Sequence, residues 1–285
     1  YMEDDIRGVP YWLITGRDEI DYISKNPKIF SSEARSVLVE EWTEEEMTSI
    51  HHNMTINMDP PRHLKNRRKV RTTFRPSAVD SYEGRFRAHA KRIIDEVASR
   101  GEWEFVEEVA AELPLLAILK LCGIPPEDRK DFFQWTNTMM FSEDPDMSVG
   151  EEEAQVASLH IIEYAMKLAA QHQENPKDDI IGALLTDKGG DKGLTEDEFV
   201  WFFLMLIAAG NESTRTITSH GMRMLMQHPD QLQYLVDNPE KIPGACEEML
   251  RYNTAFILMR RTALEDVEVA GHEIKAGDKV IMHYH

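Results

Sequence analysis

Cysteine is scarce: the 285 residues contain two, Cys122 and Cys246. Two thiols make no disulfide framework, and they suit a reducing compartment. Cations are also in deficit. Lys and Arg total 32 against 51 Asp and Glu, a formal net charge of −19, which argues against nucleic acid as a partner. No apolar run reaches the roughly 18–20 residues of a membrane span. The opening residues, Tyr1-Met2-Glu3-Asp4-Asp5, lack the charged-then-apolar pattern of a secretory signal. The sequence also has no internal repeat, no low-complexity tract and no linker that would divide it. These absences predict a cytoplasmic, globular chain with one domain over residues 1–285.

What remains is mostly helical patterning. Tyr11 to Thr15 reads as a short strand. Asp18 to Lys25 reads as a helix stopped by Asn26-Pro27. Val39 to Ile50 is acidic, loop-like or weakly helical. Further helices are expected over Ala78–Ser99 (ended by Gly101), Phe105–Leu121, Pro125–Met140, Glu151–Gln171 and Asp178–Leu185. Pro114 predicts a kink or break inside the second of these. Lys188 to Gly193 reads as a flexible loop. From Ala263 the pattern turns to β: Val267–Val269, a turn at Ala270-Gly271, a second at Ala276-Gly277, then Val280–Tyr284.

The most informative segment runs from Thr195 to Arg215. Thr195 and Glu198 form a capping box that marks a helix start. Phe199 to Ala209 is apolar without interruption, which predicts burial on all sides. Ala208, Ala209 and Gly210 then leave space, and Asn211, Glu212, Ser213 and Thr214 set hydrogen-bonding groups beside it. Polar groups deep in a helix are costly. They mark either where the helix leaves the core or a chamber with room for a ligand and proton carriers. His228-Pro229 ends this helix.

Two other groupings bear on that choice. Glu248 and Arg251 sit three apart on a helix expected to start at Pro243, so they share one face; alone, they read as a surface pair. Asp59-Pro60-Pro61 reads as another helix start, after which His63 and Arg67, four apart, project together. Two cationic donors there would suit paired carboxylates on a ligand; alone, they read as a solvated basic face.

In this order, the three segments resemble the cytochrome P450 superfamily. Asp59-Pro60-Pro61-Arg62-His63 with Arg67 looks like its C helix. Ala209-Gly210-Asn211-Glu212-Ser213-Thr214 looks like the oxygen-activating centre of its I helix, and Glu248-x-x-Arg251 looks like its K helix. Arg260-Arg261-Thr262-Ala263 and the Glu265 to Val280 run look like the β-segment that follows. Glu112 to Ile118, Gly123 to Arg129, Trp135-Thr136-Asn137 and Asn175 to Ile181 resemble actinobacterial sterol side-chain and branched-lipid hydroxylases within that superfamily.

The resemblance implies a mainly α fold, a helical bundle with a small β-segment near the C-terminus, here truncated. It implies haem b as cofactor, with His63, Arg67 and Arg261 holding its propionates. Arg261 lies five residues before Asp266; its neighbour Arg260 competes for the assignment. Ala209 and Gly210 would adjoin the haem. Glu212 would relay protons in oxygen activation with Ser213, at a position usually Thr; Ser213 lacks the methyl that restricts the rotamer, and Thr214 stands beside it. Glu248 and Arg251 would form a structural network behind the haem. The family's haem-binding Cys lies in a loop that this sequence does not reach. Cys122 and Cys246 lack that context and read as small buried residues, so no residue here is expected to ligate a metal and the chain reads as an inactive fragment.

The implied activity is hydroxylation of an apolar small molecule, a sterol side chain or branched lipid, with O2 and electrons from a partner. That partner would be a ferredoxin or flavodoxin docking on a basic patch from Arg62 to Arg75 (Arg62, Lys65, Arg67, Arg68, Lys69, Arg71 and Arg75). Two other classes fit the composition. One is a non-catalytic helical module that binds a hydrophobic ligand without haem. The other is a haem protein with His ligation, since there are eleven histidines, although His51, His52, His283 and His285 are expected to be solvent-exposed.

Overall fold

The structure is a computed structural model that describes residues 1–2, 9–71, 74–141, 149–177, 180–186 and 193–284. Its packing resolves into two compact units. One comprises residues 1–68 and 256–285, the other residues 69–255.

The first unit holds the β-structure. Strand β1 (Tyr11–Ile14) is followed by helix α1 (Arg17–Lys25), strand β2 (Phe30–Ser31), helix α2 (Glu44–Ser49) and helix α3 (Arg62–Val70), whose last two residues group with the second unit. A four-stranded sheet takes the order β1-β6-β3-β2, where β3 is Leu258–Ala263 and β6 is Lys279–His283. β1 runs parallel to β6, while β3 is antiparallel to both β6 and β2. Strands β4 (Val267–Val269) and β5 (His272–Ile274) form a hairpin over Ala270-Gly271, both at positive φ, the backbone that a tight two-residue turn needs. Ile14, Ile23, Phe30, Val280 and Met282 make the core of this unit. The β-pattern thus begins at Leu258, five residues before the Ala263 that the sequence indicated. Paired Arg260 and Arg261 hid the strand's alternation.

The second unit is helical. It contains α4 (Pro76–Asp80), α5 (Glu83–Ala98), α6 (Glu112–Leu121), α7 (Arg129–Met140), α8 (Glu151–Glu174), α9 (Ile180–Leu185), α10 (Glu196–Gln227), α11 (Pro229–Asp237) and α12 (Ile242–Tyr252). The single helix expected over 78–99 is two, parted at Ser81-Tyr82. The disruption expected from Pro114 falls one turn earlier, as a π-helical turn at Val106–Ala110, closed by Ala111 N–H donating to the Val106 carbonyl at 2.8 Å. α8 buries Ala154, Ala157, Ile161, Ala165 and Leu168, a helical stripe of small and apolar residues that admits α7 and α10 closely. Phe132 of α7 packs edge-on to Tyr164 of α8 and Phe203 of α10, with ring centres 4.9 and 6.3 Å apart. The loop expected at 188–193 and the start of the helix expected at Asp178 lie mostly outside the described residues. No described helix is long and apolar enough to cross a membrane.

Candidate functional site

In the first unit, cations gather around the start of α3. His63 is half-buried, and its imidazole is pushed below its ordinary pKa, first by burial, then by the Arg67 and Arg261 guanidiniums, with Asp59 opposing. Arg67 is exposed. Arg261 is half-buried; burial lowers its affinity for the proton, while Tyr284 and Asp59 oppose the shift. Its Nη1 donates to the Arg260 carbonyl at 2.7 Å. Asp59 does not cap α3 with its side chain as its position suggested. One oxygen accepts from Ser31 Oγ and the other from Ser32 N–H at 2.9 Å.

Arg260 is separated from this group by one step of strand alternation. It is 2% exposed, and its Nη1 donates to Glu41 Oε1 at 2.7 Å and to the Glu40 carbonyl at 3.1 Å. Fully buried Lys279 also lies 3.2 Å from Glu41. The two adjacent arginines therefore serve different surroundings. Arg260 is committed to a buried ion pair, and Arg261 belongs electrostatically with His63 and Arg67.

In the second unit, α10 keeps its Thr195/Glu198 capping box and runs on without a break. Trp201, Met205 and Leu206 are only half-buried and Ala209 is exposed, so the apolar run is not covered on all sides. Nor is there a void at Gly210: a Cβ built there would lie 2.7 Å from Ile118 Cδ1, so α6 occupies the space that the small residues create. Polar groups beside it bond locally. Ser213 Oγ donates to the Ala209 carbonyl at 2.6 Å and Thr214 Oγ1 to the Gly210 carbonyl at 3.2 Å, the back-bonding common to helical hydroxyls. Glu212 accepts from Arg215 Nη2 at 2.6 Å, and Asn211 Nδ2 reaches Thr136 Oγ1 at 3.4 Å. Ala209 and Ser213 share a face that is not closed by α6.

Glu248 and Arg251 meet as their spacing indicated. Arg251 donates from Nε and Nη2 at 2.7 and 2.6 Å. Both are exposed, and the guanidinium holds the carboxyl below its usual range. Along α3 and its exit, Lys65, Arg68, Arg71 and Arg75 join Arg67 in being exposed. Arg62 pairs with Glu33 at 3.0 Å and Lys69 with Glu198 at 2.5 Å, so two of the seven cations are neutralised internally.

Two further expectations fail. Cys246 is exposed, while Cys122 is buried as expected, because the face of α12 that carries Cys246 has no neighbour among the described residues. His51 is 4% exposed: its ring lies 4.3 Å from that of Trp42, and Asn57 Nδ2 donates to its carbonyl at 3.1 Å. Val39–Ile50 is irregular up to Thr43 and then a short helix, as the loop-like or weakly helical reading allowed; Thr43 and Glu46 form the capping box that starts α2. Sequence reasoning also missed Arg215, although it stands three residues after Glu212, the same spacing that singled out Glu248 and Arg251.

The cation group fits a ligand with paired carboxylates, since the carboxylate of Asp59, which opposes it, is already engaged by Ser31 and Ser32. Haem propionates have that chemistry. Neither cysteine fits an axial role: Cys122 is buried at the end of α6 and Cys246 is exposed on α12. Among the described residues no group of three or more His, Cys, Asp or Glu is placed to hold a metal ion. The second unit also has an open, largely apolar groove of about 930 Å³ lined by Trp103, Phe105, Met222 and Met226 among others; none of the candidate site residues borders it.

No family model matches the sequence. Individual proteins do. A steroid C26-monooxygenase of Mycolicibacterium smegmatis is 37% identical over 279 residues, 96% of this chain and 64% of that protein. A methyl-branched lipid omega-hydroxylase of Mycobacterium tuberculosis is 32% identical over 283 residues, 98% of this chain and 65% of that protein. The chain thus spans somewhat less than two thirds of these curated relatives. Among solved structures, P450BioI in complex with an acyl carrier protein ligated to hexadec-9Z-enoic acid superposes with a TM-score of 0.86 at 26% identity, over 98% of this chain and 72% of that one. A Mycobacterium marinum cytochrome P450 in complex with pseudoionone superposes with a TM-score of 0.88 at 31% identity, covering 99% of this chain and 69% of that chain. A mainly helical fold with its small sheet built from both ends of the sequence, shared at that identity over that length, places this chain in the cytochrome P450 superfamily.

Proposed function

We propose that this chain is the larger part of a haem-thiolate monooxygenase that hydroxylates an apolar substrate, a sterol side chain or a methyl-branched lipid. The observation that carries the haem assignment is the His63, Arg67 and Arg261 cation group. The likeness to steroid C26-monooxygenases and a branched-lipid omega-hydroxylase supports the substrate class.

In this reading His63, Arg67 and Arg261 bind the two propionates and orient the haem. A thiolate-ligated haem, when bound, supplies the oxidising power, because the thiolate's electron density favours O–O cleavage. The chain's own residues supply position and protons. Glu212 exchanges protons with solvent and passes them towards Ser213 on the open face of α10. The Ser213 hydroxyl, bonded back to the Ala209 carbonyl at 2.6 Å, is held in one rotamer by that bond, which replaces the restraint a threonine methyl would give. Glu248 and Arg251 brace one another and take no part in chemistry. Cys122 and Cys246 are not the axial ligand. Electrons arrive from a ferredoxin or flavodoxin-type donor, acidic on its docking face, at Lys65, Arg68 and their neighbours on α3. Complementary charge raises the encounter rate.

The test is an optical binding titration of the complete, haem-loaded protein with cholestenone, a methyl-branched fatty acid and a small monoterpene. Burial gains roughly 0.8 kcal/mol per methylene, so affinity should climb with chain length until the pocket is full. A spectral response to the monoterpene alone removes the sterol and lipid assignment and leaves the superfamily intact.

A further inference from the structure

Glu212 does not project freely from α10. Arg215, one turn on, donates to it at 2.6 Å, and Arg215 is itself only 7% exposed. Its second terminal nitrogen, Nη1, donates to Asn137 Oδ1 at 2.9 Å. Its guanidinium carbon stands 5.0 Å from the centre of the Phe141 ring. Asn137 lies in the last turn of α7 and Phe141 is the residue that caps it.

The Glu248–Arg251 pair has the same spacing and the same shortest separation of 2.6 Å, yet its side chains are 61% and 67% exposed, against 19% and 9% for Glu212 and Arg215. A solvated pair of that kind forms and breaks at little cost. Burying a guanidinium is unfavourable unless several partners fix it. Arg215 has three: a carboxylate, an amide oxygen and an aromatic face. They come from two helices, so the position of Arg215 is set by α7 as much as by its own helix.

We propose that Arg215, seated on Asn137 and Phe141, is a positioning residue that fixes the Glu212 carboxylate, so that the end of α7 sets where the proton carrier stands. This rests on the reading of Glu212 as the relay. Among the described residues, the contacts that neighbouring helices offer here are Asn137 and Phe141 from the end of α7, with Ile118 of α6 beside Gly210.

The test uses the complete, haem-loaded protein in wild-type, R215M, R215K and N137A forms, with E212Q as the spectral reference. Infrared difference spectra against E212Q isolate the Glu212 carboxylate stretches and report its hydrogen bonding directly. R215M, which removes the charge-assisted donor, should shift those bands, and R215K should restore most of that shift. N137A, which keeps the cation and removes its seat, should shift them by less. Steady-state turnover should fall by about tenfold in kcat for R215M, with KM changed less than about twofold, and recover in R215K. Glu212 carboxylate bands that stay put in both R215M and N137A overturn the proposal, as does an equal kcat loss in R215M and R215K. If R215M fails to fold, N137A alone decides through the same infrared readout. Unchanged turnover in E212Q would remove Glu212 from the relay, and the infrared shift would still report whether Arg215 holds it.

Discussion

Adjacent arginines on β3 should fail in opposite ways. Arg260 is buried, with bonds of 2.7 Å to Glu41 and 3.1 Å to the Glu40 carbonyl. Breaking a buried ion pair from one side costs roughly 3–5 kcal/mol. Lys279, 3.2 Å from Glu41, still compensates that carboxylate, so Arg260→Ala belongs at the low end, about 3 kcal/mol. Arg261 makes one bond of 2.7 Å to a carbonyl, and its loss should cost the fold about 1 kcal/mol. Its larger effect should be on haem. One charge-assisted bond to a propionate is worth on the order of 1–3 kcal/mol, or roughly 5- to 150-fold in haem affinity. Two assays separate the variants. Urea unfolding of the haem-free protein, followed by far-ultraviolet circular dichroism, reads the fold. Haem transfer to excess apomyoglobin reads retention. The reasoning is refuted if Arg261→Ala unfolds as readily as Arg260→Ala while holding haem as tightly as wild type.

Three further outcomes follow from the same geometry. Glu212→Gln should keep haem and substrate binding but slow turnover, and Ser213→Ala should divert reducing equivalents to peroxide; tight coupling in the second variant would move the hydroxyl role to Thr214. Acidification should weaken the first unit. Burial holds both His51 and His63 below their ordinary pKa, so between the native value and about 6.5 the unfolded chain binds more protons. Stability is then complete above about pH 6.5 and falls as pH drops below it, by at most about 1.4 kcal/mol per pH unit per proton. His51→Gln should flatten the slope of urea-derived stability against pH, and an unchanged slope would count against the assignment. Charge reversal at Lys65 and Arg68 should slow reduction by an acidic ferredoxin and weaken its dependence on salt. Stopped-flow rates that match wild type at low ionic strength would remove the patch from donor docking.

The helices were legible where periodicity and punctuation agree. Asn26-Pro27, the Thr195/Glu198 box and His228-Pro229 bracket α1 and α10 closely, because a cap or a proline acts through the local backbone alone. The cation group was half legible: a spacing of four placed His63 with Arg67, but choosing Arg261 over Arg260 needs the strand's phase, which two like residues in sequence conceal. The filled space at Gly210 was invisible, since Ile118 is ninety-two positions away in the chain and tertiary packing alone brings it there. His51 was misjudged for the same reason. Its burial comes from Trp42 and Asn57 folding over it, whereas a pair of histidines by itself reads as polar surface.

The π-helical turn at Val106–Ala110 fixes the phase of everything after it. A return from Ala111 to Val106 takes up one residue more than an α turn, and one residue is about 100° of rotation. Were the same sequence wound as a plain α-helix there, every side chain down to Leu121 would point about 100° away from its present heading, and Ile118 would no longer fill the notch at Gly210. The bulge thus works as an angular offset set ahead of α6. Deleting one residue within it should be tolerated, because the loop of chain shortens while the heading of α6 is kept. Deleting one residue within α6 itself, between Glu112 and Ala117, should instead turn Ile118 off its seat.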